Sequence, residues 1–414
     1  MSKKILRYDI ICRLCGSEKI KTVLKLRDTP LEDQFIREDQ LKAEQPVYPL
    51  ELAICENCGY LHLPYIVNPE ESYSEYIYVS GVTVGLRGHY DEYAKSIQND
   101  FQIKENSLIV DLGSNDGSML ASFKKIGMKI QGVEPAPGIA KQANESGLDT
   151  INGFFSRDTV TQIIERHGKA NVVTANYMYA NIDNVIEFTQ NVCNLLSEDG
   201  IFVVQTGYHP EQFKINMFDY IYHEHFSYFS VEVLQSLFDR CGLELIQAKK
   251  LSPKGGSIRV IAQLKGGARK IDPQINELIK EEINSDIRNP DTFRKFNNDL
   301  DKEKKSLIDI LSKYKKEGKK IIGFGASHST TTLLYHFELF GFLDYIVDDN
   351  VLKQNKYSPG FHIPVYSSDK LYSEIPDYVV VLAWQHKDSI LKKHLKYSES
   401  GGHWIIPLPN LITI

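Results

Sequence analysis

Two cysteine pairs of the same spacing, Cys12-x2-Cys15 and Cys55-x2-Cys58, constrain the first segment of this chain more than any other feature. Each pair can offer two sulfurs from one tight turn, so together they are spaced for a tetrahedral four-thiolate zinc site. Such a site has no open position, so zinc here would be structural. The segment from 1 to 70, with short β-like runs such as Tyr48–Ile54, then reads as a zinc-binding module that depends on its metal. Cys193 and Cys241 lie in apolar, helix-like stretches and read as small core residues.

The rest of the chain is long enough for two further domains. Between 71 and 265, short apolar strands (108–112, 130–134, 172–175, 201–205) alternate with helical patterns, which predicts a mostly parallel, doubly wound α/β sheet. From 266 to 414 an amphipathic helical stretch (Leu278, Ile279, Ile283, Phe293, Phe296, Leu300, Leu307, Leu311) leads into a second α/β unit. That unit opens with a glycine turn at Ile321–Ala326, and Asp348-Asp349 ends its next strand. The chain carries 48 basic and 54 acidic residues, a net charge of -6. It lacks the basic excess that phosphate-backbone binding needs, so nucleic acid is not the expected partner. No apolar run approaches the roughly 20 residues that span a bilayer, and the start of the chain has no apolar leader core. A cytoplasmic protein, monomeric or a small homo-oligomer, with no membrane partner, is expected.

The chemistry-bearing residues fall in two places. Asp111-Leu112-Gly113-Ser114-Asn115-Asp116-Gly117 sits where a strand turns into a helix, and some 20 residues later Gly132-Val133-Glu134-Pro135 ends the next strand with a carboxylate. With the third strand ending at Ala175-Asn176, this describes a nucleoside cofactor site in which Glu134 takes the ribose hydroxyls. Asn115 stands where a dinucleotide turn has its middle glycine, which favours S-adenosylmethionine. Asp111, Gly113, Asn115, Asp116, Gly117, Glu134, Pro135 and Asn176 are the cofactor-binding candidates. The second place is Tyr222-His223-Glu224-His225.

These motifs together resemble the bacterial C-methyltransferases that act on nucleotide-linked 4-keto-deoxyhexoses. The resemblance covers nearly the whole chain. It rests on the zinc module, Asp111–Gly117, Gly132–Pro135, Tyr222–His225 with the following Phe226–Ser230, Gly255-Gly256-Ser257-Ile258-Arg259, and the Asp349–Gly360 segment. It implies a Rossmann-like class I methyltransferase domain and a C-terminal Rossmann-like domain that helps hold the sugar nucleotide. S-adenosylmethionine and zinc are the implied cofactors, and the implied substrate is a sugar, carried on dTDP, methylated at carbon 3. Tyr76, Asn181, Lys356 and Tyr357 are its substrate-contacting candidates. Two departures stand out: Asn181 occupies a position where the family has histidine, and Ser327-His328-Ser329-Thr330 follows the C-terminal glycine turn where a Lys-Gly is usual.

The acidity of a carbon beside a ketone gives independent meaning to Tyr222–His225, since a base of near-neutral pKa can remove that proton. His225 is the candidate base, Glu224 a group that orients it, and Tyr222 a donor to the enolate oxygen. Two plainer readings of the two histidines are a solvated polar loop and a metal site. Three rival functions remain for the whole: a nicotinamide-dependent oxidoreductase using Gly323–Ala326 with Asp348 or Asp349, a methyltransferase of another small molecule, RNA or protein, and a catalytically silent binding protein.

Overall fold

A computed structural model describes residues 5–69 and 86–414. The N-terminal segment forms β1 (Leu6–Tyr8), β2 (Ile20–Lys25), β3 (Glu51–Cys55), β4 (Leu61–His62) and β5 (Tyr65–Val67). β1 pairs with β5, and β2, β3 and β4 pair as an antiparallel meander.

The alternation in the second segment becomes a single sheet. Its elements are α1 (Leu86–Asp100), β6 (Leu108–Leu112), α2 (Ser118–Lys125), β7 (Lys129–Glu134), α3 (Pro137–Glu145), β8 (Thr150–Asn152), α4 (Arg157–His167), β9 (Ala170–Asn176), α5 (Val185–Leu195) and β10 (Leu196–Gly207). They continue as α6 (His209–Lys214), β11 (Ser227–Tyr228), α7 (Val231–Cys241), β12 (Leu243–Leu251) and β13 (Ser257–Leu264). The order is β12-β13-β10-β9-β6-β7-β8. β8, β7, β6, β9 and β10 run parallel, and β13 runs antiparallel to both its neighbours. This is the sheet of a class I methyltransferase. The strand order reverses at β6, so a crevice opens over the carboxyl ends of β6 and β9, the place where such sheets bind ligands.

Two helices, α8 (Gln274–Asn284) and α9 (Pro290–Lys316), lead to the last segment: β14 (Ile321–Phe324), α10 (His328–His336), β15 (Ile346–Asp348), β16 (Lys356–Tyr357), β17 (Pro364–Ser367), β18 (Tyr378–Val381), β19 (His403–Ile406) and β20 (Ile412–Thr413). The order β16-β17-β15-β14-β18-β19-β20 has a parallel centre with an antiparallel strand at each edge. Among the described residues no helix is long and apolar enough to cross a membrane.

The N-terminal segment is not held by its cysteines alone. Leu24, Leu26, Leu50, Leu52 and Ile54 share one core with Phe293, Phe296, Leu300, Leu307 and Leu311 of α9 and with β14, while Cys12, Leu14, Cys55, Cys58 and Tyr60 join the methyltransferase core. β11 completes the β2–β4 sheet by pairing Tyr228 with Leu61 and Ser227 with His62. The zinc segment is therefore a wedge that borrows apolar surface from both larger domains, which the loop-rich composition did not foretell.

Candidate functional site

Both cysteine knuckles close in the same way. Gly16 and Gly59 follow the second cysteine of each pair at φ 73° and 72°, and each donates its N–H to the carbonyl of the first, Cys12 and Cys55, at 2.8 Å. Only glycine adopts that backbone without steric cost. The four sulfurs come together, with Cys12 Sγ 3.7 Å from Cys58 Sγ and Cys15 Sγ 3.6 Å from Cys55 Sγ. A zinc 2.3 Å from each sulfur would place them about 3.8 Å apart at the corners of a tetrahedron, so the set fits zinc closely. Asn57 Nδ2 donates to Cys15 Sγ at 3.6 Å, an outer contact of the kind that steadies a thiolate ligand.

At the sheet's carboxyl edge, Gly113 (φ 65°), Asn115 (φ 49°) and Gly117 (φ 77°) make the turn from β6 into α2. A Cβ on Gly113 would lie 2.8 Å from the Met178 side chain, so the turn is closed against that loop. Glu134 accepts the Asn115 N–H on Oε2 and the Ala136 N–H on Oε1, both at 2.9 Å. Its carboxylate is thus aimed across the turn, with a lone pair left on each oxygen for ribose hydroxyls. Asp111 is buried beneath, accepting from Thr174 Oγ1 at 2.6 Å and Asn176 Nδ2 at 3.5 Å. Those bonds tie β6 to β9 and partly offset burial, which pushes the carboxyl up to about 7. Asp116 Oδ1 accepts the Ser118 N–H at 3.1 Å and caps the start of α2. Pro135 lies just past the strand end, its carbonyl bound by Asn152 Nδ2 at 3.2 Å. The structure brings all eight cofactor candidates to one edge.

In the Tyr222–His225 loop Tyr222, His223 and Glu224 are buried and His225 is half-buried, so the loop is not a solvated one. His225 Nδ1 lies 3.0 Å from the Tyr220 carbonyl, which can only accept, so Nδ1 carries the proton and Nε2 presents its lone pair. Tyr222 lies with its hydroxyl 2.9 Å from that Nε2 and its ring stacked at 4.0 Å. Burial, with the Lys254 ammonium adding to it, pushes His225 down to about 3 instead of leaving it near neutrality. Glu224 does not reach the imidazole network of His225: it is buried near Glu32 and Asp33, which raise its pKa beyond what burial alone does. His223 turns away as well, its Nδ1 3.0 Å from Glu32 Oε1. The orienting partner of His225 is thus a main-chain carbonyl.

A cleft beside His225 is lined by Tyr177, Thr206, Gln212, Tyr220, Tyr228 and Lys254. Asn181 lies next to Ala180, which also lines it. Lys254 sits at φ 54° in a Pro-Lys-Gly-Gly turn and holds its ammonium 4.0 Å over the Tyr177 ring. Lys356 and Tyr357 lie on β16, away from that lining, where Tyr357 exchanges main-chain hydrogen bonds with Ile36. Tyr76 lies outside the described residues. At the C-terminal glycine turn the amide face is already engaged: the Ala326 N–H donates to Asp348 Oδ2 at 2.6 Å, and Lys353 Nζ donates to the Ala326 carbonyl and to Asp33 Oδ1, both at 2.7 Å.

Sequence reasoning missed Arg13, which stands between two zinc ligands. Its guanidinium donates to the Phe226 carbonyl at 2.6 Å and to Asp183 Oδ1 at 3.4 Å, tying the first knuckle to the residue after His225 and to the segment that carries Asn181. Leu63 N–H donates to the same carbonyl at 3.1 Å, and Tyr60 hydrogen-bonds Ser227 through its hydroxyl. A cationic residue inside a Cys-x2-Cys turn was the only signal available.

Comparison with known proteins agrees with this layout. The chain matches a zinc binding domain over residues 12–73, a methyltransferase domain over 87–248 and a C-methyltransferase C-terminal domain over 252–409. It is 30% identical over 403 residues to the C-methyltransferase NovU of Streptomyces niveus, covering 96% of this chain and 95% of that one. Solved structures with a similar region include magnesium protoporphyrin IX methyltransferase from Synechocystis PCC 6803 with bound SAH (11% identity, TM-score 0.36, covering 47% of this chain and 91% of that one). Another is the CcbJ methyltransferase from Streptomyces caelestis (13% identity, TM-score 0.35, covering 47% and 95%). With one relative matched almost end to end and all three segments accounted for, the chain belongs to the zinc-containing, S-adenosylmethionine-dependent C-methyltransferases.

Proposed function

We propose that this enzyme methylates carbon 3 of a nucleotide-linked 4-keto-deoxyhexose, carried on dTDP, through an enolate formed by His225. The observation that carries the reading is the fixed tautomer: a half-buried imidazole whose Nδ1–H is held by a main-chain carbonyl and whose Nε2 lone pair faces Tyr222 beside a cleft. Glu134 holds the cofactor's ribose, with Asp111, Gly113, Asn115, Asp116, Gly117, Pro135 and Asn176 shaping the site around it. The cofactor supplies a methyl group on a sulfonium.

The substrate's C–H bond breaks as its proton passes to His225 Nε2, and the electron pair moves onto the ketone oxygen. For this the Tyr222 hydroxyl gives up Nε2, and it is then placed to donate to the enolate oxygen. S-adenosylmethionine, held at Glu134, would supply the methyl group that the nucleophilic carbon takes up, and the residues of this chain serve to hold that carbon and the donor in line. A base pushed down to about 3 is weak alone. It works here because the anion forming beside it stabilises the imidazolium, with no solvent to relax in between. Asn181, at the edge of the cleft, faces the sugar where relatives of the resembled family carry histidine, and Tyr76 contacts the substrate with it, while Lys356 and Tyr357, on β16 outside the cleft lining, hold the nucleotide end.

Mass spectrometry of a panel of nucleotide-linked 4-keto-sugars incubated with methyl-labelled S-adenosylmethionine tests the reading. One added methyl on carbon 3 of one of them is expected. Methylation of oxygen, or of none of the keto-sugars while another small molecule is labelled, refutes it.

A further inference from the structure

The Gly255–Arg259 motif has no part in the chemistry above, yet it ends in a half-buried cation that has no counter-ion among the described residues. Arg259 Nε and Nη2 both donate to Gln205 Oε1, at 2.9 and 2.8 Å, and its guanidinium lies 3.9 Å over the Tyr93 ring. Gln205 is itself fixed, with Nε2 donating to the Tyr177 hydroxyl at 2.9 Å and to His89 Nε2 at 3.2 Å. Every group that holds Arg259 is uncharged, and among the described residues no carboxylate pairs with it; burial lowers its pKa. A cation removed from water without a partner is costly, and such arrangements persist where a ligand brings the anion.

Register says which ligand. Arg259 pairs with Gln205, and Gln205 with Asn176, so the three form a row across the carboxyl ends of β10 and β9 and the amino end of the antiparallel β13. One residue earlier, Ala175 pairs with Leu112 and Leu112 with Val133, so the row stands level with Gly113 and Glu134, the residues that follow them. Two strand spacings, about 10 Å, separate Arg259 from Asn176, and the arginine side chain leans over Gln205 toward that gap. At the near end Asn176 Oδ1 is buried without a hydrogen-bond partner, and the Tyr93 hydroxyl beside it completes no hydrogen bond of good geometry. A cation and an amide oxygen in one row, with the phenol of Tyr93 brought over them by α1, complement a zwitterion. We propose that Arg259 and Tyr93 receive the α-carboxylate of the cofactor's methionine half while Asn176 Oδ1 accepts its ammonium. This rests on the placement of the ribose at Glu134.

The test is calorimetric binding of S-adenosylhomocysteine and of its decarboxylated analogue to the full-length enzyme and to Arg259→Met. The parent is expected to prefer the carboxylate-bearing ligand by a factor on the order of 10 to 100, the usual worth of hydrogen bonds to a charged group. Arg259→Met is expected to abolish that preference while binding the decarboxylated analogue within about threefold of the parent. If Arg259→Met does not fold, Arg259→Lys carries the same test, with the preference reduced severalfold because the fork is lost. A preference unchanged in the variant overturns the proposal. So does a variant that keeps its preference but binds a nucleoside diphosphate more weakly, which would assign the arginine to the substrate's diphosphate. Glu134→Ala separates the two levels: if it weakens both ligands while Arg259→Met changes nothing, only this inference fails, and if neither variant matters, the cofactor placement fails too.

Discussion

Arg13→Ala isolates what the zinc knuckle does for the reaction. Arg13 makes a 2.6 Å charged hydrogen bond to the Phe226 carbonyl, one residue from His225. Its loss leaves that carbonyl with the Leu63 N–H at 3.1 Å, and Asp183 keeps Arg7 at 2.6 Å. Neither group is orphaned, so the stability cost belongs in the range for a hydrogen bond to a charged group, about 1.5–3 kcal/mol. The catalytic cost is separate. With one of the two hydrogen bonds to the Phe226 carbonyl gone, the main chain beside His225 is free to shift by a fraction of an ångström, and a misplacement approaching 1 Å costs a factor on the order of 10². The assay is steady-state kinetics with urea unfolding and zinc content measured on the same preparation. The account predicts a kcat reduced about 10- to 100-fold, with zinc retained and cofactor affinity unchanged. A variant that loses the stated stability but keeps parental kcat would show that Arg13 supports the fold only.

Elemental analysis is expected to find one zinc per chain, and Cys12→Ser to remove it with a lower unfolding midpoint; enzyme purified without chelator that contains no zinc would contradict the site. Glu134→Ala should weaken S-adenosylhomocysteine binding measured by calorimetry at least tenfold, since two ribose hydroxyls lose a charged acceptor; unchanged affinity would place the ribose elsewhere. His225 must be neutral to act, and its free-enzyme pKa lies at about 3 instead of 6.5. Its protonation on acidification therefore begins only well below pH 5, and kcat/KM is expected to show no acid limb near 6.5 that His225→Ala removes. Such a limb would mean that the histidine is more exposed to water in solution than its burial indicates.

The turn and the strand end at the sheet's carboxyl edge were legible in the sequence because their signals are local. Gly113 and Gly117 are demanded by positive φ, Glu134 ends the next strand at a fixed distance, and two matched Cys-x2-Cys-Gly turns need no long-range information. The boundaries of β6 fall where its apolar run begins and ends. Strand pairing across the chain was beyond reach: nothing local in Ser227-Tyr228 says that it joins the sheet of Leu61-His62, 166 residues earlier. Glu224 shows the same limit. Its place beside two histidines suggested that it orients one of them, whereas the fold turns it toward Glu32 and Asp33 and leaves that task to the Tyr220 carbonyl, which sequence cannot single out. The pKa of His225 was likewise invisible, because burial is set by the whole assembly of three segments.

Proton removal, isolated from methyl transfer, tests the central claim most directly. The keto-sugar substrate is incubated in deuterated water with S-adenosylhomocysteine in place of the methyl donor, and deuterium at carbon 3 is followed by mass spectrometry. The account predicts exchange with the parent enzyme and a rate lower by a factor on the order of 10²–10⁴ with His225→Ala, the usual contribution of a positioned base. Exchange by His225→Ala as fast as by the parent would contradict it and pass the role of base to another group.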